Sequence, residues 1–418
     1  MTHVVVIGAG IVGACVALAT LARGMRVTIL DPGEPGGEQA ASYGNGCWIN
    51  PLSVIPPALP GTWRKVPHFL RDPLGPLAIR WAYLPRAAPW LWRYLRAGWS
   101  EERVTRTAHA LRALLRDAPD RHLALARRAG CEGLIERRGL LYVYPDRAAF
   151  AAEALAWRIR RAVGCSWREL EEEELRQLEP AVSTRYRFGV YVPEAAHCPD
   201  PGALVAALIA QAEAEGARRL RLPATGLSIA GGRLRAVRTP GGEIAADRAV
   251  IAAGAHSRPL ARAAGDDVPL ESERGYHAEI AAPEVAPRIP FMPSDGKMSI
   301  VHSRGGLRAA GQVEIAGLTA PPNWDRARIL GQHLLRAVAG MPEVLPAERM
   351  RVWLGHRPSL PDGLPCLGPA AATPDVLLAF GHGHIGLAAG PASGEMLGRM
   401  LAGETVPEAE PFSPARFR

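Results

Sequence analysis

The sequence lacks several features by which membrane, secreted and metal-binding proteins are recognised. It contains six cysteines but no Cys-x-x-Cys pair, so neither a zinc site nor a disulfide framework is supported, and we expect no bound metal. No run of about 18 uncharged apolar residues is present, as a membrane-spanning helix would require. The first apolar run, residues 4–7, has no basic leader before it and no small-residue cleavage site after it. We therefore expect a cytoplasmic protein whose thiols are reduced.

Lysine is nearly absent, and arginine carries almost all of the positive charge. Lys65 and Lys297 are the lysines among 49 basic residues, and the formal net charge is +8. Residues 61–130 hold about 14 basic and about five acidic residues, and within them 103–128 predict one amphipathic helix. The segment is interpreted first as a solvated helical face and second as a surface for anionic lipid or an acidic partner. No nucleic-acid-binding motif accompanies the charge, so we expect no nucleic-acid partner.

Residues 81–99 combine aromatic side chains with arginines. The aromatic residues are Trp81, Tyr83, Trp90, Trp92, Tyr94 and Trp99. The arginines are Arg86, Arg93 and Arg96, and Arg80 comes directly before the stretch. The pattern is typical of an interfacial surface that passes electrons to a membrane quinone, and equally of a helix packed in a protein core. Two expectations follow: peripheral contact with the cytoplasmic face of the inner membrane, or ordinary core packing.

The chain begins with the pattern of a βαβ unit. Residues 4–7 are a short run of β-branched apolar residues, as expected of a central parallel strand. Gly8-Ala9-Gly10-Ile11-Val12-Gly13 follows, then a predicted helix over 11–23, a second predicted strand over 27–30, and Asp31. The three glycines suit a tight turn, close approach of a pyrophosphate and close helix–sheet packing, and Asp31 can accept hydrogen bonds from a ribose. We therefore predict a Rossmann-type dinucleotide site.

Three later segments favour FAD over NAD as the dinucleotide. Residues 40–46 form a polar loop, 250–255 a second strand with a glycine turn, and 380–386 place glycines before the last predicted helix. A helix N-terminus at that last position would stabilise negative charge on a reduced flavin. The residues predicted to contact the cofactor are Gly8, Gly10, Ile11, Val12, Gly13, Asp31, Ser42, Asn45, Gly46, Ala224, Ala253, Gly254, Gly381, Gly383, His384, Ile385 and Gly386.

With these motifs in place, the whole chain resembles the D-amino acid oxidase superfamily of FAD-dependent oxidoreductases. Within that superfamily it is most similar to the bacterial D-amino acid dehydrogenase small-subunit type. The motifs that carry the likeness, in chain order, are Val5 to Asp31, Ser42-x-x-Asn45, Ile49-x-Pro51, Pro76-Leu77-Ala78-Ile79-Arg80, Leu178-Glu179-Pro180-Ala181, Arg274-Gly275-Tyr276, Trp353-x-Gly355-x-Arg357-Pro358, Pro361-Asp362-Gly363-x-Pro365, Gly381-His382-Gly383 and Gly386.

The resemblance implies an α/β fold of two domains: a Rossmann-type FAD-binding domain and a substrate domain built on an antiparallel sheet. The implied FAD-binding domain comprises 1–50, 180–265 and 350–418, and the implied substrate domain comprises 51–179 and 266–349. Non-covalent FAD is also implied. The related sarcosine oxidases attach flavin through a cysteine just ahead of the corresponding Pro-Asp, whereas the approximate position here is Gly355, and Cys366 lies on the other side.

An amino acid would bring a carboxylate into an apolar cavity, where an arginine is its natural partner. Arg357 is the predicted partner, from its motif and from the resemblance, and an ion pair with Asp362 is the alternative. Tyr276 matches the tyrosine of the dehydrogenase type and is expected to cap the same carboxylate or shape the pocket, unless it is a core residue. His356 and His384 are further candidates for substrate contact, with structural roles as the alternative.

The resemblance implies FAD-dependent oxidation of the Cα–N bond of an amino acid, taken as a D-amino acid, with electrons passed to a quinone or another carrier. The flavin carries the hydride transfer, so no side-chain base is required. At Cys47, Trp48, His356 and His384 the sequence departs from the dehydrogenase type, so a cyclic or N-alkyl substrate such as hydroxyproline, proline or sarcosine, or glycine, is an alternative. A nicotinamide dehydrogenase and a non-catalytic flavin-binding subunit are alternatives of other classes.

Overall fold

A computed structural model describes residues 1–65, 75 and 77–418. Pro76 of the motif named above lies outside the described residues, as do residues 66–74 of the basic segment. The strands are β1 His3–Ile7, β2 Arg26–Leu30, β3 Trp48–Ile49, β4 Leu77–Ile79, β5 Leu140–Tyr144, β6 Arg168–Leu170, β7 Phe188–Val192, β8 Ala196–His197, β9 Arg218–Leu220, β10 Gly226–Ala230, β11 Arg233–Thr239, β12 Gly242–Ala245, β13 Arg248–Ile251, β14 Glu271–Ile280, β15 Phe291–Pro293, β16 Ser299–Ser303, β17 Gly306–Ile315, β18 Met350–Ser359, β19 Cys366–Pro369 and β20 Val376–Phe380.

The described helices vary from five to 16 residues in length. They are α1 Ile11–Leu21, α2 Leu84–Ala97, α3 Glu101–Leu115, α4 Ala118–Arg128, α5 Arg147–Ala151, α6 Ala154–Ala162, α7 Glu172–Leu178, α8 Pro201–Ala214, α9 Arg258–Ala263, α10 Asp325–Ala337 and α11 Gly386–Leu401. Among the described residues, no helix combines the length and the apolar character that a membrane span requires.

The first sheet is parallel apart from one edge strand, and β1 lies near its centre. Its order is β19-β20-β13-β1-β2-β9, with β19 antiparallel to β20. Successive residues of a strand point to opposite faces, so Val4 and Val6 pack with α1, α8 and α11, whereas Val5 and Ile7 pack with β10 and β11. Burial on both faces explains why β1 is apolar from Val4 to Ile7. Because the β1–α1 turn follows the last residue of β1, it lies at the carboxyl edge of the sheet.

The second sheet contains three ten-residue strands, β14, β17 and β18. Its order is β18-β14-β17-β16-β15-β5-β7-β6, and β4 pairs with β17 in parallel. α10 packs over one face of β14 and β17, where Leu330 and Leu334 join the apolar cluster of Ala278 and Ile280. The opposite face of β14 and β18 lines a cavity that it shares with the β1–α1 turn.

Two strands pair differently from the expected division of the chain. β7 and β18 hydrogen-bond in the second sheet, although 180–265 and 350–418 were assigned to the FAD-binding domain. β18 pairs with β14 along its full length, and β7 pairs with β5 and β6, so hydrogen bonding rather than closeness in sequence decides their sheet. Apart from these two strands, the domain boundaries stay a prediction.

The single helix predicted over 103–128 is two helices, α3 and α4. Pro119 occupies the first turn of α4. Proline has no N–H to donate to the carbonyl four residues earlier, and its ring clashes with that carbonyl, so a continuous helix through this point would be broken. The same residue is well tolerated in a first turn, where its missing donor would be unpaired in any case.

Candidate active site

One large cavity, with a volume of about 1670 Å³, joins the carboxyl edge of the parallel sheet to the face of the second sheet. The predicted residues that line it are Gly8, Gly10, Ile11, Val12, Asp31, Ser42, Asn45, Gly46, Ala224, Ala253, Gly254, Tyr276, His356, Arg357, Gly383, His384, Ile385 and Gly386. Gly13 and Gly381 are not part of its described lining. The structure therefore brings the separated motifs of the sequence together around one space.

The glycines of the β1–α1 turn differ in what surrounds them. Gly8 has φ +115°, and a Cβ there would lie 2.3 Å from the carbonyl oxygen of Ala252. A Cβ on Gly13 would lie 1.9 Å from the carbonyl oxygen of Gly8, so Gly13 permits close packing behind the turn. At Gly10 the nearest atom would be Ser42 Oγ at 3.6 Å, which is ordinary contact. Gly10 is therefore the position where a ligand can approach the backbone.

Asp31 holds the β1–α1 turn against the end of β2. Its carboxylate accepts hydrogen bonds from the backbone N–H of Ala9 and of Gly33, each at 2.8 Å. A carboxylate has about four acceptor sites, so two backbone donors leave room for ribose hydroxyl groups. Asp31 therefore fits the predicted role at the adenosine end of a dinucleotide.

The start of α1 offers free backbone donors to the cavity. Gly10 is the N-cap and makes no side-chain cap, and the N–H of Ile11 donates to Ser42 Oγ at 3.2 Å. The next N–H groups of a first turn have no intrahelical partner, and the helix dipole adds positive potential there. These donors, the open backbone at Gly10 and the Asp31 carboxylate fit the diphosphate and ribose of FAD.

A buried ion pair that the sequence did not predict anchors the loop carrying Asn45. Arg308 on β17 donates to Glu279 at 2.8 Å and to the backbone carbonyls of Tyr43 and Asn45 at 3.3 Å each. Both charged side chains are buried. Cys47 closes the loop with φ +66°. Arg308 therefore ties the predicted cofactor loop to the second sheet, a contact between distant segments that no local motif signals.

The side chain of Arg357 extends across three strands. It starts on β18, passes over Gly275 on β14, and donates to the carbonyls of Gln312 at 2.7 Å and Gly311 at 3.2 Å on β17. Gln312 has φ +63° and lies at a break in the β14–β17 register, which turns its carbonyl toward the guanidinium. The alternative ion pair with Asp362 is not formed, because Asp362 accepts from Arg416 at 2.7 Å.

Arg357 lines the cavity with donors left over after these two hydrogen bonds. Burial lowers the pKa of Arg357, and the nearby Glu273 raises it. A guanidinium has five N–H donors and stays charged in proteins. An anionic group entering the cavity would therefore meet a positioned positive charge.

Tyr276 lines the cavity, but its hydroxyl is already committed. It donates to Glu314 at 2.6 Å and accepts from the backbone N–H of Asn323 at 3.1 Å. Burial raises its pKa to about 12, and Glu314 adds to the effect. The hydroxyl is therefore not placed to cap a substrate carboxylate, and the side chain shapes the cavity instead.

The two candidate histidines occupy different environments. His356 shares a 2.8 Å hydrogen bond between its Nδ1 and Ser272 Oγ, and burial lowers its pKa to about 4. His384 is exposed to the cavity, and desolvation there, reinforced by the charge of Arg357, lowers its pKa to about 4. Both rings are therefore neutral near pH 7. His384 alone of the two sits at the start of α11, where the glycines at 383 and 386 also line the cavity.

Gly381 serves the backbone rather than the cavity surface. Its φ is +88°, and a Cβ there would lie 2.4 Å from Leu360 Cδ1. Among the described residues, no cluster of histidine, cysteine, aspartate or glutamate could hold a metal ion.

Glu273 and Tyr94 also line the cavity, although neither was predicted to contact the cofactor or the substrate. Glu273 is 7% exposed and lies directly opposite Arg357 in the β14–β18 register. Burial raises the pKa of Tyr94, and the charge of Glu273 raises it further. A glutamate within a run of strand residues gives no local signal of function, which explains the omission.

Comparison with known proteins agrees with this geometry. The model of the family described as DAO, FAD dependent oxidoreductase, matches residues 3–400. The chain is 55% identical over 417 residues to the D-amino-acid oxidase of Bradyrhizobium diazoefficiens, covering 99% of each chain. It is 32% identical over 415 residues to the D-amino acid dehydrogenase of Paramagnetospirillum magneticum, covering 96% of this chain and 95% of that one.

Solved structures with low sequence identity share the fold. L-proline dehydrogenase from P. horikoshii has a TM-score of 0.74 at 18% identity, with 100% of this chain and 97% of that chain covered. Glycine oxidase from Geobacillus kaustophilus has a TM-score of 0.71 at 20% identity, with 100% and 99% covered. The predicted mixed α/β fold, the predicted family and FAD as the cofactor of an oxidoreductase are confirmed. The chain belongs to the DAO family of FAD-dependent oxidoreductases.

Proposed function

We propose that this chain oxidises the Cα–N bond of a D-amino acid to an imino acid, which then hydrolyses to a 2-oxo acid and ammonia. The observation that carries the proposal is a single cavity with the dinucleotide-binding turn at one end and Arg357 at the other. Arginine is the side chain best suited to a carboxylate in a closed site. The names of the two relatives, D-amino-acid oxidase and D-amino acid dehydrogenase, support this substrate class.

The start of α1, Asp31 and the loop at 42–46 would hold FAD without a covalent bond. When bound, the flavin supplies the acceptor for the hydride that leaves the substrate Cα. Among the described residues no cysteine lines the cavity, and Cys366 is fully buried in β19, which supports non-covalent binding.

The cavity wall next to the Gln312 carbonyl is apolar, which favours substrates with apolar side chains. Trp90 and Tyr94 stack with ring centroids 5.3 Å apart on the inner face of α2. The apolar residues that complete this wall are Leu77, Leu91, Val313 and Ile315. Burying a charged substrate side chain against them would be unfavourable without a partner.

Anaerobic mixing of the purified holoprotein with amino acids tests the proposal, with the visible absorbance of oxidised flavin as the readout. D-Alanine and D-phenylalanine should bleach the flavin, and their L-enantiomers should not. Bleaching by proline, hydroxyproline, sarcosine or glycine alone would favour the cyclic or N-alkyl alternative. A flavin that none of these compounds reduces would contradict the proposal and favour a non-catalytic flavin-binding subunit.

We further propose that the electrons pass to a quinone or another carrier, at a membrane surface. Trp81, Trp92 and Trp99 are 64%, 62% and 62% exposed on or beside α2, and the neighbouring Arg93 and Arg96 are exposed too. The inner face of the same helix lines the cavity. This arrangement suits contact with anionic lipid close to the site of oxidation. The cytoplasmic location expected from the sequence stays a prediction.

Co-sedimentation with vesicles containing phosphatidylglycerol tests the membrane contact. The wild-type protein should sediment with these vesicles at low salt, and a variant with Trp92→Ala and Trp99→Ala should stay in solution. Val344→Ala is the matched control, because Val344 is an exposed apolar residue outside this stretch. Equal sedimentation of all three proteins, or of none, would contradict the contact. Reoxidation of the reduced flavin by a soluble quinone and by oxygen, compared side by side, identifies the acceptor.

A further inference from the structure

Arg357 would bind only the carboxylate of an amino acid. A bound zwitterion also brings an ammonium group, and a cavity that is largely apolar must supply an acceptor for it. The carboxylates in the described lining of this cavity are Asp31, Glu34, Glu153 and Glu273. Of these, Glu273 is the direct strand partner of Arg357.

The two side chains lie on the same face of the sheet. Glu273 on β14 is the direct partner of Arg357 on β18 in an antiparallel register without a break. Directly opposed residues place their Cβ atoms about 4.5–5.5 Å apart on one face. Both side chains therefore start from the same face of the sheet, and both line the cavity, so a carboxylate and a guanidinium are available to one ligand.

Glu273 and Arg357 do not form a salt bridge with each other. The guanidinium of Arg357 reaches over Gly275 and donates to the carbonyls of Gln312 and Gly311, away from Glu273. No salt bridge of 4.0 Å or less joins Glu273 to a basic side chain in the part of the chain that the structure describes. A buried carboxylate without a contacting positive charge is unfavourable. The ammonium group of a bound substrate would stabilise this negative charge.

The surroundings of Glu273 also suit acceptance of a proton. Burial raises the pKa of its carboxyl group, and the charge of Arg357 and the hydroxyl of Ser359 lower it. Glu271 on the same strand adds a raising effect, and the Tyr94 hydroxyl faces Glu273 from α2. His384 is exposed to the cavity, and desolvation and the charge of Arg357 both lower its pKa.

We propose that Glu273 receives the α-ammonium group of the substrate and accepts one of its protons. The N–H bond breaks, the proton moves to a carboxylate oxygen of Glu273, and the electron pair stays on nitrogen. The substrate amine is then neutral and holds the lone pair from which the C=N bond of the imino product forms. This role rests on the proposed function, and it adds a group that the hydride transfer itself does not require.

A ligand pair that differs only in the amine tests this role without turnover. 2-Aminoisobutyrate has no hydrogen on Cα and cannot be oxidised there, and pivalate has a methyl group in place of the ammonium. Both are titrated into the purified holoprotein, and binding is followed by the change in the flavin spectrum and by calorimetry. The wild-type protein should prefer 2-aminoisobutyrate. Glu273→Gln should reduce that preference at least tenfold and leave the affinity for pivalate within about threefold.

Glu271→Gln is the matched control, since Glu271 is two residues away on the same strand and accepts from Tyr83 instead of lining the cavity. It should retain the wild-type preference. If Glu273→Gln lowers the affinity for both ligands equally, Glu273 acts only through Arg357, and the proposed contact with the amine is wrong. An unchanged preference would overturn it as well.

Two further measurements keep the outcomes separate. If Glu273→Gln does not fold or retain FAD, Glu273→Asp decides: a lower amine preference with pivalate binding retained supports the contact, and an unchanged preference overturns it. With a reactive D-amino acid, the rate of flavin reduction in Glu273→Gln should rise with pH toward the pKa of the free ammonium and approach the wild-type rate there. Wild-type protein that binds neither ligand and is reduced by no amino acid would overturn the proposed function itself.

Discussion

Replacing Gly275 with alanine tests how the sheet positions Arg357. A Cβ at this position would lie 2.4 Å from Arg357 Cζ, 2.4 Å from Nη2 and 2.8 Å from Nη1. Ordinary contact between such atoms is about 3.5–4.0 Å, so the guanidinium must move by about 1 Å or more. It cannot do so and keep both hydrogen bonds, of 2.7 Å to the Gln312 carbonyl and 3.2 Å to the Gly311 carbonyl.

The substitution is expected to weaken both folding and binding by similar free energies. Overpacking a close contact usually costs about 1–3 kcal/mol of stability. A displacement of about 1 Å in a group that binds the substrate can reduce the rate about 100-fold. We therefore expect the Kd for pivalate and the KM for a D-amino acid to rise about 10- to 100-fold in Gly275→Ala, which corresponds to about 1.4–2.7 kcal/mol.

Titration of holoprotein with pivalate, followed by the flavin spectrum, measures the effect directly, and thermal unfolding reports the stability. Gly189→Ala is the control, because Gly189 lies in the same sheet and its added Cβ would meet Leu175 Cδ1 at 3.1 Å, far from Arg357 in the strand order. It should bind pivalate as the wild type does. A Gly275→Ala protein that binds pivalate with wild-type affinity would refute the placement of Arg357 over Gly275.

Three other changes have defined outcomes. Asp31→Ala should weaken FAD binding at least tenfold in a titration of apoprotein, because the N–H groups of Ala9 and Gly33 lose a charged acceptor, and wild-type affinity would contradict its role. Arg357→Met should retain FAD and lower kcat/KM roughly 30- to 4000-fold, which corresponds to about 2–5 kcal/mol. A decrease in kcat/KM of less than threefold would argue against carboxylate binding by Arg357. His122 is fully buried, and burial lowers its pKa to about 4. As the pH falls, the histidine is therefore protonated first in the unfolded state. The neutral histidine contributes fully to stability above about pH 6.5, and this contribution declines as the pH falls toward 4. Between these pH values the free energy of unfolding of the wild type should fall by up to about 3 kcal/mol more than that of His122→Gln, measured by denaturant titration. The same pH dependence of the free energy of unfolding in both proteins would contradict this reasoning.

The local part of the site could be predicted from the sequence. The β1–α1 turn and Asp31 lie within about 30 residues, and each position has a physical requirement that residue type alone reveals. Arg357 could be selected as well, because few side chains can hold a carboxylate in an apolar cavity. The resemblance to a known family supplied the order of the remaining motifs.

The parts that depend on pairing between distant strands could not be predicted. Glu273 faces Arg357 only because β14 and β18 pair in one register, and Gly275 matters only because the arginine crosses it. Tyr276 was expected to reach a substrate, yet its hydroxyl donates to Glu314 on the neighbouring strand. The assignment of β7 and β18 to the second sheet has the same origin, since strand pairing is not encoded within either segment alone.

A crystal structure of the holoprotein with 2-aminoisobutyrate would show whether Arg357 binds the ligand carboxylate. We expect FAD with its diphosphate at Gly10 and its ribose at Asp31, and the ligand carboxylate within hydrogen-bonding distance of the Arg357 guanidinium. A ligand carboxylate held by another residue, with Arg357 in contact only with the protein backbone, would contradict it.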